Sequence, residues 1–306
     1  VNESKSQRKK SSKLGKIGQT LECYTFLAPA YVVFILFIFI PVGRSVYLSF
    51  FEYSLLSMRA PFFVGFENYM EMLNDKVFWT AVKNTVVYVL GTVPFRIALS
   101  LLIAVLLDSG RLYFKNFFRT CYFLPVVTSM VACAIIWRLI FDAGPAGVAN
   151  RFIGIFGGSP QGWLADSSLA MLSVIIMSIW KDLGYCMMIY LAGLQGISPE
   201  LYEASSIDGA TAWQNFWHVT LPMLKPTTFF IVTTQMITSF QVFTQTYVMT
   251  GGGPGYSTTT LINYLYELGF NEFRMGYAST VAFILFIGLL IFSATLRRVF
   301  QAEELY

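Results

Sequence analysis

The sequence predicts an all-α integral membrane fold of six transmembrane helices, with both termini on the cytoplasmic side. Three observations predict it. Only 12% of the 306 residues are charged and 56% are hydrophobic, with a mean hydropathy of +0.60; soluble domains carry about 25% charged residues. Six segments are apolar over the roughly 20 residues that a helix needs to cross the hydrocarbon core. Lysine and arginine concentrate in the segments of one parity, which orients the chain.

The first span runs over 24–50, through "YVVFILFIFIPV". It is too long and too late for a cleaved signal peptide, and no small-residue cleavage site follows it. The others lie at 81–107, 118–141, 169–194, 224–249 and 276–299. The tail "KSQRKKSSKLGK", the short loop with Arg111, Lys115 and Arg119, and the C-terminal Arg297 and Arg298 are basic. The opposite loops hold only Arg59, Lys76, Arg151 and Arg274. Both termini and the segment 195–223 are therefore expected in the cytoplasm. The chain divides into a basic tail, 1–20, which touches lipid, and a six-helix domain, 21–306. On the outer side, 64–79 reads as a short amphipathic piece at the membrane surface. The stretch 251–273 reads as a Gly-rich turn followed by a helix.

The net charge of +4 comes mostly from the first sixteen residues and does not indicate nucleic-acid binding. Cys23, Cys121, Cys133 and Cys186 are scattered, with no C-x-x-C pair, and read as small apolar residues rather than as a disulfide frame or metal site.

The segment 198–222 departs from its apolar surroundings. Ser198-Pro199 is an N-cap followed by proline at the first helical position. Gly209 sits where a helix end takes a left-handed residue, Thr211 can cap a second helix, and Leu221-Pro222 turns the chain back to the membrane. The product is a two-helix knob with apolar and acidic surface. It suits docking into a partner groove and equally an amphipathic loop resting on headgroups. His218, the only histidine, lies within it and suits packing or surface better than catalysis.

The knob resembles the EAA loop of permease subunits in binding-protein-dependent ABC importers. Glu203-Ala204-Ser205, Gly209, Val219, Leu221 and Pro222 match that pattern at full spacing, with Ser205 for Ala and Val219 for Ile. "VGFENY" (64–69), Phe78, Trp79, Asn84, Thr85, "FLP" (123–125), "GGGP" (251–254) and "MGYAST" (275–280) resemble the carbohydrate-uptake branch, and the likeness runs over 24–300. The resemblance implies a coupling role for Glu203, Ala204, Ser205, Asp208, Gly209, Leu221 and Pro222 against a cytoplasmic ATPase dimer. It also implies a second, homologous permease, an extracytoplasmic solute-binding protein that meets the "GGGP" loop, and a place in the bacterial cytoplasmic (inner) membrane. This chain has no G-x-x-x-x-G-K-[ST] loop, so ATP and Mg are expected at the partner ATPase. No cofactor is expected here.

Intramembrane charge is costly and marks a pathway or a pair. Arg96, just after Pro94, reads as pairing with a neighbouring helix. Arg138 reads as snorkelling to the surface. Ser178, Lys181, Asp182 and Tyr185 form one i, i+3, i+4, i+7 face whose hydroxyls, charges and aromatic ring suit a sugar. By the count back from the EAA loop, the resemblance places it at the sugar site of maltose-type relatives. The alternative is an ion pair to another helix. The span 224–249 is unusually polar: Gln235, Thr238, Ser239, Gln245 and Thr246 share a face, broken by Val242, and Thr234, Thr238, Gln241 and Gln245 form a rival one. Serines and threonines also pack helices without touching solute.

Two other classes compete with the importer. A stand-alone secondary transporter is expected to carry inverted repeats or broken helices, and neither is legible. An intramembrane enzyme needs a catalytic constellation, and no H-E-x-x-H, Ser-His or Asp-Asp arrangement lies within the spans.

Overall fold

The computed structural model describes residues 24–57, 60–109 and 113–303, with side chains to residue 298. The basic tail 1–20, Cys23, Arg59 and Arg111 lie outside the described residues. The first helix, α1 (Tyr24–Leu48), contains a π-helical turn at Ile35–Phe39. It is apolar all round, and none of its most apolar stretch is buried against the rest of the chain. Hydrocarbon is the only solvent in which such a surface is stable.

A two-residue antiparallel pair follows, β1 (Phe51–Glu52) and β2 (Phe62–Phe63). Then come α2 (Glu67–Asn74) and α3 (Lys76–Asp108). The amphipathic piece expected at 64–79 is α2, which buries Asn68 and Met72. Two helices, α4 (Lys115–Val127) and α5 (Met130–Ile140), occupy the predicted third span and meet at an angle of 102°. The expectation of unbroken helices is thus overturned. Pro125 lacks the N–H that continues a ladder and Thr128 is extended; the proline marks an interruption, but hydrophobic periodicity carries no sign of the angle.

Beyond α6 (Val148–Ile155), the long α7 (Ala170–Gln195) forms the spine of the bundle, packed along α3. Gly184 lets α4 lie flush against it: a Cβ there would stand 2.0 Å from the Tyr122 carbonyl oxygen. That contact explains the small residue beside the "FLP" stretch. The knob comprises α8 (Pro199–Ile207), α9 (Ala212–Asn215), a π-helical turn (Phe216–Thr220) and α10 (Leu221–Met223). Next, α11 (Lys225–Phe240) and α12 (Thr244–Thr250) divide the predicted fifth span at residues 241–243. The chain ends with α13 (Leu261–Tyr266), a π-helical turn (Glu267–Asn271) and α14 (Met275–Glu303).

Among the described residues, α1, α3, α7 and α14 are each long and apolar enough to cross a membrane, and the α4–α5 pair makes a fifth if it is one span. At 16 residues, α11 is shorter than such a helix. These elements make the chain an integral membrane protein.

The end of the bundle holding residues 51–75 and 251–274, here the cap end, is knitted by polar side chains. Asp75 Oδ1 accepts from the Val77 and Phe78 amides, capping α3, while Oδ2 accepts from the Tyr264 hydroxyl and, at 2.7 Å, from that of Tyr277. Burial pushes the Asp75 carboxyl up, but the two tyrosine hydroxyls and two amides outweigh it and hold its pKa below the ordinary value. Asn68 Nδ2 donates to the Ser49 and Phe51 carbonyls. Asn84 Nδ2 donates to the Tyr256 and Thr259 carbonyls, and Thr85 Oγ1 accepts from the Leu261 amide, so α3 clamps the Gly-rich turn. Several of the short motifs noted above are therefore fastenings of this cap.

Candidate functional site

Pro94 interrupts the hydrogen-bond ladder of α3 two residues before its buried charge. Tyr88, Thr92, Arg96 and Ser100 recur at spacing four along one face of α3, and all are fully buried. From that face Arg96 reaches two other helices. Its Nη2 lies 3.2 Å from Asp182 Oδ2 and donates to the Ser178 carbonyl at 3.0 Å, both on α7. Its Nη1 donates to Gln235 Oε1 on α11. A guanidinium removed from water needs such partners, because the loss of hydration costs several kcal/mol per ion; its Nε is left buried without one among the described residues.

This cluster forms one wall of a cavity of about 370 Å³. Tyr88, Arg96, Asp182, Gln235, Ser239 and Gln245 line it, with Thr238, Gln241 and Phe243 where α11 gives way to α12. The break at 241–243 ends the regular helix there and leaves a lining that mixes hydroxyls, amides and aromatic rings. Such a surface matches a polyhydroxylated solute better than an apolar one.

The predicted residues divide. Asp182, Gln235, Thr238, Ser239 and Gln245 all line the cavity. Ser178 does not: its Oγ donates to the Val174 carbonyl and its own carbonyl holds Arg96. Lys181 is buried and donates from Nζ to the Val126 carbonyl at 3.1 Å. That carbonyl lies in the last turn of α4, where the bend removes the next-turn donor, and an ammonium at a helix C-terminus satisfies both the orphan oxygen and the dipole. Tyr185 is exposed and does not line the cavity. Lys181 and Asp182 thus serve different neighbours, as adjacent helical residues must. Of the rival face, Thr238, Gln241 and Gln245 line the cavity and Thr234 does not. Tyr88 and Phe243 escaped the sequence reading, and Arg96 was given only a pairing role. The spacing-four polar stripe from Tyr88 to Ser100 is the signal that identifies Tyr88 and Arg96; Phe243 carries no such signal.

At the other end of α7 the knob is built as a self-contained unit. Gly209 has φ +78°, ends α8 in the left-handed region and so needs no Cβ. Thr211 and Gln214 form a reciprocal capping box at α9. The hydroxyls of Tyr202 and Thr220 meet at 3.0 Å and bind the two helices together. Ser198 occupies the N-cap backbone position without a side-chain capping bond. Glu203, Ala204 and Asp208 are exposed, Ser205 donates to the Tyr202 carbonyl, and Leu221 and Pro222 are half-buried at the return to the bundle. Ile207 (86% exposed) and Trp213 (69%), whose ring meets Phe216 and Trp217, are exposed on the same knob as the acidic residues.

Two relatives and one structure resemble the chain over nearly its whole length. It is 38% identical over 284 residues to the probable ABC transporter permease protein YurN of Bacillus subtilis, covering 92% of this chain and 96% of that one. It is 36% identical over 271 residues to the arabinooligosaccharides transport system permease protein AraP of the same organism, covering 88% and 85%. The fold matches a chain of the bacterial alginate ABC transporter, solved in complex with an alginate pentasaccharide-bound periplasmic protein. The TM-score is 0.79 at 22% identity, over 93% of this chain and 97% of that one. The model of the binding-protein-dependent transport system inner membrane component family matches residues 96–302. That match spans α3 from its buried arginine, the cavity, the knob and α14, and the chain belongs to this family.

Proposed function

We propose that this chain is the membrane-spanning permease subunit of an ABC importer that moves a neutral sugar or sugar-like solute inward by alternating access. The observation that carries the reading is the polar cavity around Arg96, Asp182 and Gln235. Arg96 is already committed to Asp182 and two oxygens, and among the described residues no other cation lines the cavity. That arrangement suits hydroxyls better than the phosphate of a polyol phosphate. Kinship with the AraP permease supports an oligosaccharide or disaccharide.

In this reading residues 21–306 form one six-helix domain, with the α4–α5 pair as the third span and α11–α12 as the fifth. Both termini and the 198–222 loop face the cytoplasm of a bacterial cell. A cytoplasmic ATPase dimer, holding ATP and Mg, receives the knob. Glu203, Ala204, Ser205, Asp208, Gly209, Leu221 and Pro222 transmit its closure to α7 and α11. The exposed Ile207 and Trp213 supply the apolar half of the contact. A second, homologous permease completes the pathway, and an extracytoplasmic binding protein delivers solute at the cap end.

The bent α4–α5 pair is a feature that stand-alone secondary transporters also carry, and it favours that alternative more than the sequence did. Family membership weighs against it.

The test is to purify the tagged chain in mild detergent and assay what accompanies it. An ATPase and a second permease are expected, with ATP hydrolysis stimulated by sugar-loaded binding protein. Glu203→Lys is expected to leave the complex inserted and to lower that stimulation about tenfold or more. A single chain that transports without ATPase would overturn the reading.

A further inference from the structure

We propose that the cap end holds a second saccharide subsite, joined to the central cavity by a ladder of aromatic rings, so that the solute is an extended oligosaccharide rather than a single sugar. This rests on the sugar-importer reading above.

Phe243 lines the central cavity. Its ring stacks on Tyr247 (5.1 Å between centroids, 21° between planes) and meets Tyr266 at 5.2 Å. Tyr247 and Tyr266 meet at 5.2 Å, and Tyr266 stacks on Phe270 at 5.2 Å and 27°. The four rings form an unbroken series from the cavity to the surface. Rings that serve only as core are consumed by packing. Here Tyr247 is 42% exposed and Phe270 57%. The exposed ring of Tyr247 suits the C–H faces of pyranose and furanose rings, which shed water from one side while their hydroxyls remain free to bond.

Tyr247 also lines a second cavity, of about 310 Å³, bounded by the Gly251–Gly255 turn, Tyr256, Asn263 and Glu267. Asn263 is 6% exposed. One end of its amide is held by the hydroxyls of Thr246 (2.9 Å) and Thr260 (3.2 Å), and the other end has no protein partner. That unpartnered end is itself closed off from the space, so the side chain shapes the cavity wall and the accessible polar groups lie elsewhere on it. Across the same cavity the Glu267 carboxylate accepts from Asn271 Nδ2 at 2.7 Å through one oxygen and keeps the other as an acceptor, and among the described residues no lysine or arginine lines the space. An aromatic plate and a carboxylate with a free acceptor oxygen form a site for a neutral saccharide and repel an acidic one.

The test uses the assembled importer in lipid nanodiscs with its binding protein, and reads ATP hydrolysis against di- and tetrasaccharides of arabinose and of glucose. Tyr247→Leu and Tyr266→Leu are expected to raise the half-stimulating concentration of tetrasaccharide about tenfold, the loss of roughly one stacking contact. The same variants should leave the disaccharide response within about twofold, and Tyr247→Phe should behave as wild type. If Tyr266→Leu fails to assemble, Tyr247→Leu and Phe270→Leu, on exposed rings, carry the test. Equal shifts for both lengths, or none for either, would overturn the ladder alone. A wild-type complex that no saccharide stimulates would overturn the importer reading and the ladder with it.

Discussion

Arg96 Nη2 stands 3.2 Å from Asp182 Oδ2 and so joins the middle of α3 to the middle of α7 at the wall of the cavity. The pair is lopsided: the arginine side chain is 2% exposed and the aspartate 29%. The cation is a fixed part of the scaffold, while the carboxylate retains a face toward the cavity. In the function proposed above, a solute would approach Asp182 without breaking the contact that holds the helices.

Removing one partner leaves the other charge uncompensated in a dry setting, which costs about 3 kcal/mol or more. Asp182→Asn should be milder than Asp182→Leu, because the amide oxygen can still accept from the guanidinium. Arg96→Met with Asp182→Leu should cost less than the sum of the two single changes. Thermal unfolding of the detergent-solubilised chain across this cycle measures the coupling, and strict additivity would show that the pair is not a unit.

Gly184→Ala should be among the most damaging single-methyl changes in the protein. The added carbon meets backbone, not a movable side chain, at 2.0 Å from the Tyr122 carbonyl oxygen. Relief requires α4 to move off α7, at a cost of about 1–3 kcal/mol or more, and takes the Lys181–Val126 contact with it. The expected readout is a lowered melting temperature and faster proteolysis at the α4–α5 bend.

Gly209→Ala should destabilise the knob by about 1 kcal/mol, since φ +78° suits glycine and penalises a Cβ. Gly209→Asn should be milder. Space is not the constraint, because a Cβ at this position would meet nothing within 4 Å. Both variants should insert normally, with the loss appearing as weaker recovery of ATPase on copurification.

Asp75 makes the cap end sensitive to acid. Its pKa lies below the ordinary carboxylate value, so its contribution to stability is complete above about pH 4. That contribution is lost as pH falls through the lowered folded value. Asp75→Asn keeps a capping side chain on α3 but gives up the charge-assisted bonds from Tyr264 and Tyr277. Melting temperature followed from pH 6 to pH 3 should fall more steeply for wild type than for the variant, and parallel curves would assign the acid response elsewhere.

Much of the architecture was legible because it follows from short-range pattern. Apolar length located α1, α3, α7 and α14, and the capping chemistry of Ser198-Pro199, Gly209 and Thr211 outlined the knob. Local conformational rules suffice for such elements. The bend between α4 and α5 escaped because Pro125 marks an interrupted ladder but not the direction in which the chain turns. The break at 241–243 has no proline or glycine to announce it.

The sequence by itself determined that the chain lives in lipid, where its long helices fall and which segment stands apart as a polar knob. Hydrophobic periodicity and helix-end chemistry act within a few residues of one another and need no partner. Only the tertiary structure decided which polar residues share a space. It placed Asp182, Gln235 and Gln245 on the cavity, turned Lys181 to the end of α4, left Tyr185 outside and brought Arg96 to the centre. Those assignments depend on the rotation of each helix against its neighbours, and that rotation is set by packing between segments distant in the chain, such as Gly184 against Tyr122.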